Sequence, residues 1–448
     1  MKMTNTFNIL DFGAVGDGVT NNAGAIQKAV DAASAARGTV VIPCGEFMSG
    51  TIVLKSNIEL RLEKGAVLIS SLNESDILDF AELFEDDNEC TGWDGGCFLF
   101  ACHEKNITIS GEGTIYGQGD KVFFDDDSDN GFHECPLNVT AFRPRTTFFE
   151  DVENLTVRGI TFKDAAFWTL HMAGCRHVSV LDIKILNDVR GANNDGIDPD
   201  CCKDVIIRGC IVKTGDDAIV IKTTKPMAKR YGAAENIVIS DCILYSHDSA
   251  LKIGTETHAD IRHIVFGNCV IRGCSRGIGI WVRDGASIED IHVHHVSGNV
   301  LKYADGFHDG HPSRWWGNGE PIFISSTYRD GRRLFPGNIR SVSFDHIYIT
   351  AESSALICGE KDARPYDISF TDFRVTMRRQ GTQEPGYFDE QPSLRDVYPH
   401  EIPAVYARCA DTLSVRGNVI YDAPYNADDN PPYMLEDCSD TDIFIRTL

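Results

Sequence analysis

The chain has 448 residues, 42% of them hydrophobic and 24% charged, a balance that excludes disordered and collagen-like chains and permits a large buried core. Its 42 Lys+Arg against 66 Asp+Glu give a net charge of −24, which repels phosphate backbones and anionic lipid surfaces and argues against nucleic-acid and membrane partners. No stretch approaches the ~18 consecutive apolar residues of a membrane-crossing helix, and MKMTNTFNILDFGAVGDG at the start lacks the apolar run of a secretory leader. A soluble, cytoplasmic protein is therefore expected. Fifteen cysteines, with Cys201 and Cys202 adjacent and no paired CxxC spacing, fit neither a disulfide framework nor a zinc site and read as reduced core thiols.

Near the start, Ala23, Ile26, Ala29, Val30 and Ala33 recur at helical spacing, which predicts an amphipathic helix over about 20–36 that caps an open core. The acidic run at 123–130, FFDDDSDN, matches no calcium-loop spacing and reads as a solvated face. From residue 154 onward a repeat governs the pattern. A polar residue, an alternating apolar triplet and an apolar residue six places on recur as Asn154–Ile160, His177–Ile183, Asp204–Cys210, Asn236–Cys242, His263–Cys269, Asp290–Val296, Ser341–Ile347 and Asp367–Phe373. Uninterrupted repeats are 23 to 27 residues long. Segments such as NLTVRGITF and DVIIRGCIV are short, β-branched and alternating, and they end at Gly, Asn or Asp, as strands do at turns. One repeat cannot bury its own apolar face, so successive repeats must stack in parallel ~4.8 Å apart. The expected fold is all-β: one parallel β-helix (a β-solenoid) over 1–448, with Cys210, Cys242 and Cys269 as vertical neighbours inside it. Pro, Gly and charged residues collect at about 223–235, 301–338 and 376–402, which are read as projecting loops.

Stacking also brings carboxylates together. Asp195 lies 22 residues before Asp217, about one coil, so Asp195, Asp216 and Asp217 should crowd one bend marked by Gly196 and Gly215. Like charges this close cannot all ionise, and that is how a protein holds a general acid beside a general base. Spacing alone also allows a plain alternative, in which these turn residues hydrogen-bond their own backbone.

The run NNDGIDPDCCKDVIIRGCIVKTGDDAIVIKTT, together with FNILDFGAVGDGVTNN, VIPCGEFMSGTIVLKSNIELRLEKGAVL, GTIYGQG, Arg143-Pro144 and FWTLH, resembles glycoside hydrolase family 28, the polygalacturonase-like hydrolases. The resemblance covers most of the chain. It implies a right-handed parallel β-helix that cleaves glycosidic bonds with inversion and without metal or other cofactor. Asp216 would be the general acid, and Asp195 and Asp217 would hold the attacking water. For inversion the acid and base are expected ~6.5–9.5 Å apart.

Two departures stand out. Where the family has Gly-His-Gly, this chain has SHDSALKIG: His247 resembles the match, but counting back from Ile253-Gly254 puts Asp248 or Ser249 there. A one-residue shift on a strand changes face, so His247 reaches the acids only through a bulge or bend. The family's Arg-x-Lys, which grips a galacturonate carboxylate, is replaced in RGIGIWVRDG by Gly279 and Trp281. Neither supplies charge-assisted hydrogen bonds. Trp281 is offered as a sugar-stacking face, with Lys222, Lys252, Arg276 and Arg283 as nearby cations, each of which could equally be a neutralising charge. Trp315 and Trp316 on the 301–338 loop either form a sugar platform or pack that loop on the coil.

The functional expectation is an inverting, exo-acting hydrolase of pectin-related oligosaccharides, galacturonan or rhamnogalacturonan in type. The alternatives are a polysaccharide lyase on the same fold, which would need a cationic base near a uronate, and a noncatalytic carbohydrate-binding β-helix.

Overall fold

The computed structural model describes residues 5–79, 96–124, 137–140, 142–303 and 317–448, with the backbone of 307–308 and 311–312. Trp315, Trp316 and most of the acidic run at 123–130 lie outside the described residues.

Strands of successive coils pair in parallel, forming one ladder of 21 strands and a second of twelve that runs from Ile52–Val53 to Tyr433–Glu436. The fold is a right-handed parallel β-helix. Its interior is written by the repeat: Leu155, Val178, Val205, Ile237, Ile264, Ile291, Val342, Ile368 and Leu413 pair rung to rung, and all are buried. The polar residue that heads each repeat has a structural reason. Asn154, His177, Asp204, Asn236, His263, Asp290, Ser341 and Asp367 all lie in the left-handed region, with φ between 54° and 61°. Asn and Asp tolerate that conformation best among residues with a side chain. These heads also bond along the stack: Asn154 Nδ2 donates to Asn106 Oδ1 at 3.0 Å, and Asn236 Nδ2 to Asp204 Oδ1 at 2.9 Å.

Cys210, Cys242 and Cys269 stack as buried neighbours, with the Cys242 N–H donating to Cys269 Sγ at 3.5 Å. All thirteen cysteines among the described residues are free thiols. The helix Ala23–Ala36 turns Ile26, Ala29, Val30 and Ala33 inward over the first coils.

The three segments read as loops carry more structure than their composition indicates. Within 223–235 lies a helix, Lys225–Tyr231, with Pro226 in its first turn, where a missing N–H costs nothing. Within 301–338, Glu320–Ser326 is a full rung of the twelve-strand ladder, paired with Arg276–Val282. Within 376–402, Tyr387–Asp389 and Val397–Pro399 form an antiparallel hairpin. In each case the tertiary contacts decide what the turn-forming residues leave open.

Replacing Asn236 by Val places a β-branched residue at φ 61° and removes the bond to Asp204. The combined cost should be roughly 2 kcal/mol, read as a lowered urea midpoint, whereas Asn236→Gly, which keeps the backbone freedom, should lose less.

Candidate active site

On the twelve-strand ladder, Leu170–Ala173, Ile197–Asp200, Ile219–Thr223, Ser249–Thr257, Arg276–Val282 and Glu320–Ser326 stack in that order. Ile197, Ile219 and Leu251 are in register and point inward. The acids sit in the bends just before these strands. The Gly196 N–H donates to the Asp217 carbonyl at 2.9 Å, which brings the Asp195 and Asp217 backbones side by side. Asn194 fastens the two bends: its Oδ1 accepts from the N–H groups of Gly215 and Asp216 at 2.8 and 3.2 Å, and its Nδ2 donates to the Asp188 carbonyl at 2.7 Å. Gly215 is obligatory here, because a Cβ would lie 2.3 Å from the Gly191 carbonyl oxygen.

The result is that Asp195, Asp216 and Asp217 each present a carboxylate oxygen within 4.8 Å of the others. This is tighter than the ~6.5–9.5 Å expected between the acid and base of an inverting enzyme. Oxygen-to-oxygen spacing is, however, shorter than the spacing of carboxyl centres, and one water making two ~2.8 Å hydrogen bonds spans such a gap. Asp195 Oδ1 and Asp217 Oδ1 are buried without a hydrogen-bond partner, the condition of oxygens that await a donor. The other oxygens are held: Lys252 Nζ stands 2.8 Å from Asp217 Oδ2, and Lys222 Nζ stands 3.5 Å from Asp195 Oδ2 and 3.0 Å from Asp198 Oδ1. Asp216 has no ammonium of its own; its oxygens accept from the N–H groups of Asp217 and Asn193 at 2.9 and 3.1 Å.

Burial raises Asp216, and Asp217 raises it further. Burial, then Asp216 and Asp198, push Asp195 well up. Asp198 is lifted to about 6 by burial, against the pull of Lys222. Burial works against the charge of both lysines, yet Asp198 and Asp195 hold Lys222 above the ordinary lysine value, and Asp217 and Asp248 do the same for Lys252. The cluster therefore retains a proton at neutral pH, shared within a coupled set. Three carboxylates at this spacing could also ligate a hard cation, but the two ammonium groups already occupy their charge.

Carrying the Ile219–Leu251 pairing back along both chains sets Ser249 opposite Asp217 and Asp248 opposite Asp216. Asp248 thus faces the cluster as a fourth acid, pushed up to about 8 by burial and by Asp217. His247 points elsewhere. Its imidazole stacks on Tyr303 with ring centroids 3.7 Å apart, its Nε2 lies 3.2 Å from the Tyr245 hydroxyl, and its charged neighbours are Lys213 and Arg190. Strand alternation sends it to the far side of the bend, with no bulge to return it.

Lys222, Lys252 and Arg276 do reach the groove. Arg283 does not: its guanidinium donates to the carbonyls of Ser325, Glu390 and Pro392 at 2.7, 3.1 and 2.9 Å, so it anchors the 387–399 hairpin rather than a sugar. Trp281 lines the groove but is only 1% exposed and packs against Phe323 at 4.6 Å, which makes it a wall and not a stacking platform. Asp198, Asn194 and Trp168 were not singled out from the sequence. Asp198 shares outward strand parity with Asp200 in IDPD, and that was its legible signal; Trp168, 3.8 Å under Lys222 Nζ, lies in FWTLH, whose resemblance to the family was its signal.

Two insertions pack onto the rungs before and after the acids. Before the acids, Met227 of the short helix packs with Phe100, Phe148, Ala173 and Cys201, and Tyr231 packs against that cluster; Arg230 and Tyr231 bind Glu150 at 2.9 and 2.7 Å. Beyond the acids, the hairpin segment is tied down by Arg283 and by Ser325 Oγ donating to Glu390 Oε2 at 2.8 Å. What remains beside the acids is a cleft of about 510 Å³ lined by Asp248, Lys252, Arg276, Trp281, Arg329 and Gln391, among others.

A bend that stacks Asp195 under Asp216–Asp217 on a parallel β-helix is the arrangement of a carbohydrate hydrolase. The sequence profile of Glycosyl hydrolases family 28 matches residues 34–306, and the chain belongs to that family. Among its relatives, a probable polygalacturonase of Vitis vinifera is 26% identical over 341 residues, covering 72% of this chain and 67% of that protein. An exopolygalacturonase of Zea mays is 23% identical over 375 residues, 80% of each chain. Among solved structures, the family 28 exopolygalacturonase of Yersinia enterocolitica superposes with a TM-score of 0.72 at 16% identity, covering 98% of this chain and 78% of that one.

Because folded Asp248 holds its proton more tightly than the ordinary value of 3.8, its contribution to stability is full below about pH 4 and is lost as pH rises toward 8. The unfolding free energy from urea titrations across that window should fall by up to ~1.4 kcal/mol per pH unit from this group. Asp248→Asn should flatten the slope and raise the midpoint at pH 8.

Proposed function

We propose that this protein is an exo-acting, inverting hydrolase of short pectin-type oligosaccharides. The observation that carries the reading is the set of three acids gathered at one bend. A chain cut internally must pass through the groove in both directions; in this reading the short helix and the 387–399 hairpin, packed on the rungs before and after the acids, block that passage and admit a chain end. The names of the maize and Yersinia relatives, both exopolygalacturonases, support the same direction.

In this reading Asp216, the triad member without an ammonium partner, carries the proton and donates it to the glycosidic oxygen as the bond from C1 breaks. A water held by Asp195 and Asp217 attacks C1 from the opposite face and passes its proton to that pair. Lys222 and Lys252 offset the negative charge of that pair. The new hemiacetal has the inverted anomeric configuration, and the proton returns to Asp216 from solvent. A lyase would instead need a cationic base, and the lysines beside the acids are held charged.

Asp216→Asn should lower kcat by about 10³-fold or more while substrate binding persists; a binding module would have no turnover to lose. Product anomers followed by NMR in the first minutes should be inverted. Retained configuration would exclude this mechanism, and an unsaturated product would indicate a lyase.

A further inference from the structure

The cleft next to the acids has an unusual charge arrangement that bears on which sugar enters it; this inference rests on the hydrolase reading above. Position 279 is glycine because the Trp281 indole folds back over it: a Cβ there would lie 2.1 Å from the indole Cζ3. The ring therefore fills the space in which side chains at 279 and 281 would otherwise extend toward substrate. Its Nε1–H is buried with no hydrogen-bond partner.

The cations that do line the cleft are already engaged. Lys252 Nζ is 2.8 Å from Asp217. Arg276 lies 3.3 Å from Asp248, 3.7 Å from Glu320 and 3.6 Å from Asp389. Arg329 grips Asp284 through two bonds of 2.8 and 2.7 Å. Glu256 and Asp396 add two further carboxylates to the lining, so the three cations stand against seven acids once their partners Asp217, Asp248, Glu320, Asp389 and Asp284 are counted. An incoming carboxylate would lose its water here and, among the described residues lining the cleft, meet no unengaged cation, which is the costly case for a charge leaving water. A neutral sugar meets the opposite situation: carboxylate oxygens accept from its hydroxyls.

We propose that the cleft beside Trp281 receives an uncharged sugar unit and discriminates against a free uronate at that position. The chain would then cleave a bond flanked on this side by a neutral or esterified residue.

The test compares digalacturonate with its two mono-methyl esters, which keep the skeleton and remove one charge at a time, on the hydrolytically silent Asp216→Asn variant. Calorimetry should show one of the two esters binding at least about tenfold more tightly than the free acid. Free-acid affinity should rise as salt is increased, since screening relieves repulsion. Equal or tighter binding of the free acid than of both esters, or binding of the free acid that weakens with salt, overturns the proposal. Wild-type initial rates on the same three compounds give the same ranking if the variant does not fold. The double substitution Gly279→Arg with Trp281→Lys, which replaces the indole wall by two cations, should reverse the preference. If the ester preference in binding appears while no substrate is hydrolysed, the subsite assignment stands and the hydrolase reading fails.

Discussion

One constraint underlies the whole molecule: in a parallel coil, a residue one turn along the chain lies directly above its predecessor. Inside, this builds columns of Ile, Val and Leu, and at the bends it builds columns of left-handed Asn, Asp and His that bond to one another. Outside, it sets Asp195 beside Asp217 and Asp216 beside Asp248, in two adjacent columns. An isolated chain would not hold these acids together against their repulsion. The solenoid does, because the columns beneath them are apolar and fully buried, and because Lys222 and Lys252 each stand one rung from the acid they neutralise.

The same regularity leaves a solenoid with an outer face that is open along its length, and this chain lays two insertions on it before and after the acids. Both use apolar packing plus a buried charged anchor: the short helix sets Met227 and Tyr231 on the aromatic floor and ties to Glu150, while the hairpin is held through Arg283 and Glu390. The buried arginine at 283 is thus architectural. Its guanidinium faces backbone carbonyls, the acceptors that a planar five-donor group satisfies without a counter-ion.

Electrostatics then separate the two sides of the groove floor. Near Asp195 and Asp217, ammonium groups hold particular oxygens and leave others unmatched. Farther along, Arg276 and Arg329 are spent on acids, and the indole of Trp281 covers the glycine at 279. The cations that stand at the groove are used to hold the chain's own carboxylates in place.

By itself the sequence determined the parallel β-helix, the inward columns, the capping helix at 23–36, the family, and the convergence of Asp195, Asp216 and Asp217. The solenoid, its columns and the meeting of the acids follow from a repeat period and strand alternation, the cap from helical spacing, and the family from the resemblance of its motifs, all of them local properties of the chain. Only the tertiary structure decided that His247 leaves the site, that Asp248 enters it, that Arg283 binds a hairpin, and that Trp281 is a wall. Those outcomes depend on which face a single residue takes at a bend and on what an insertion from more than a hundred residues away lays over it, and no local pattern encodes either.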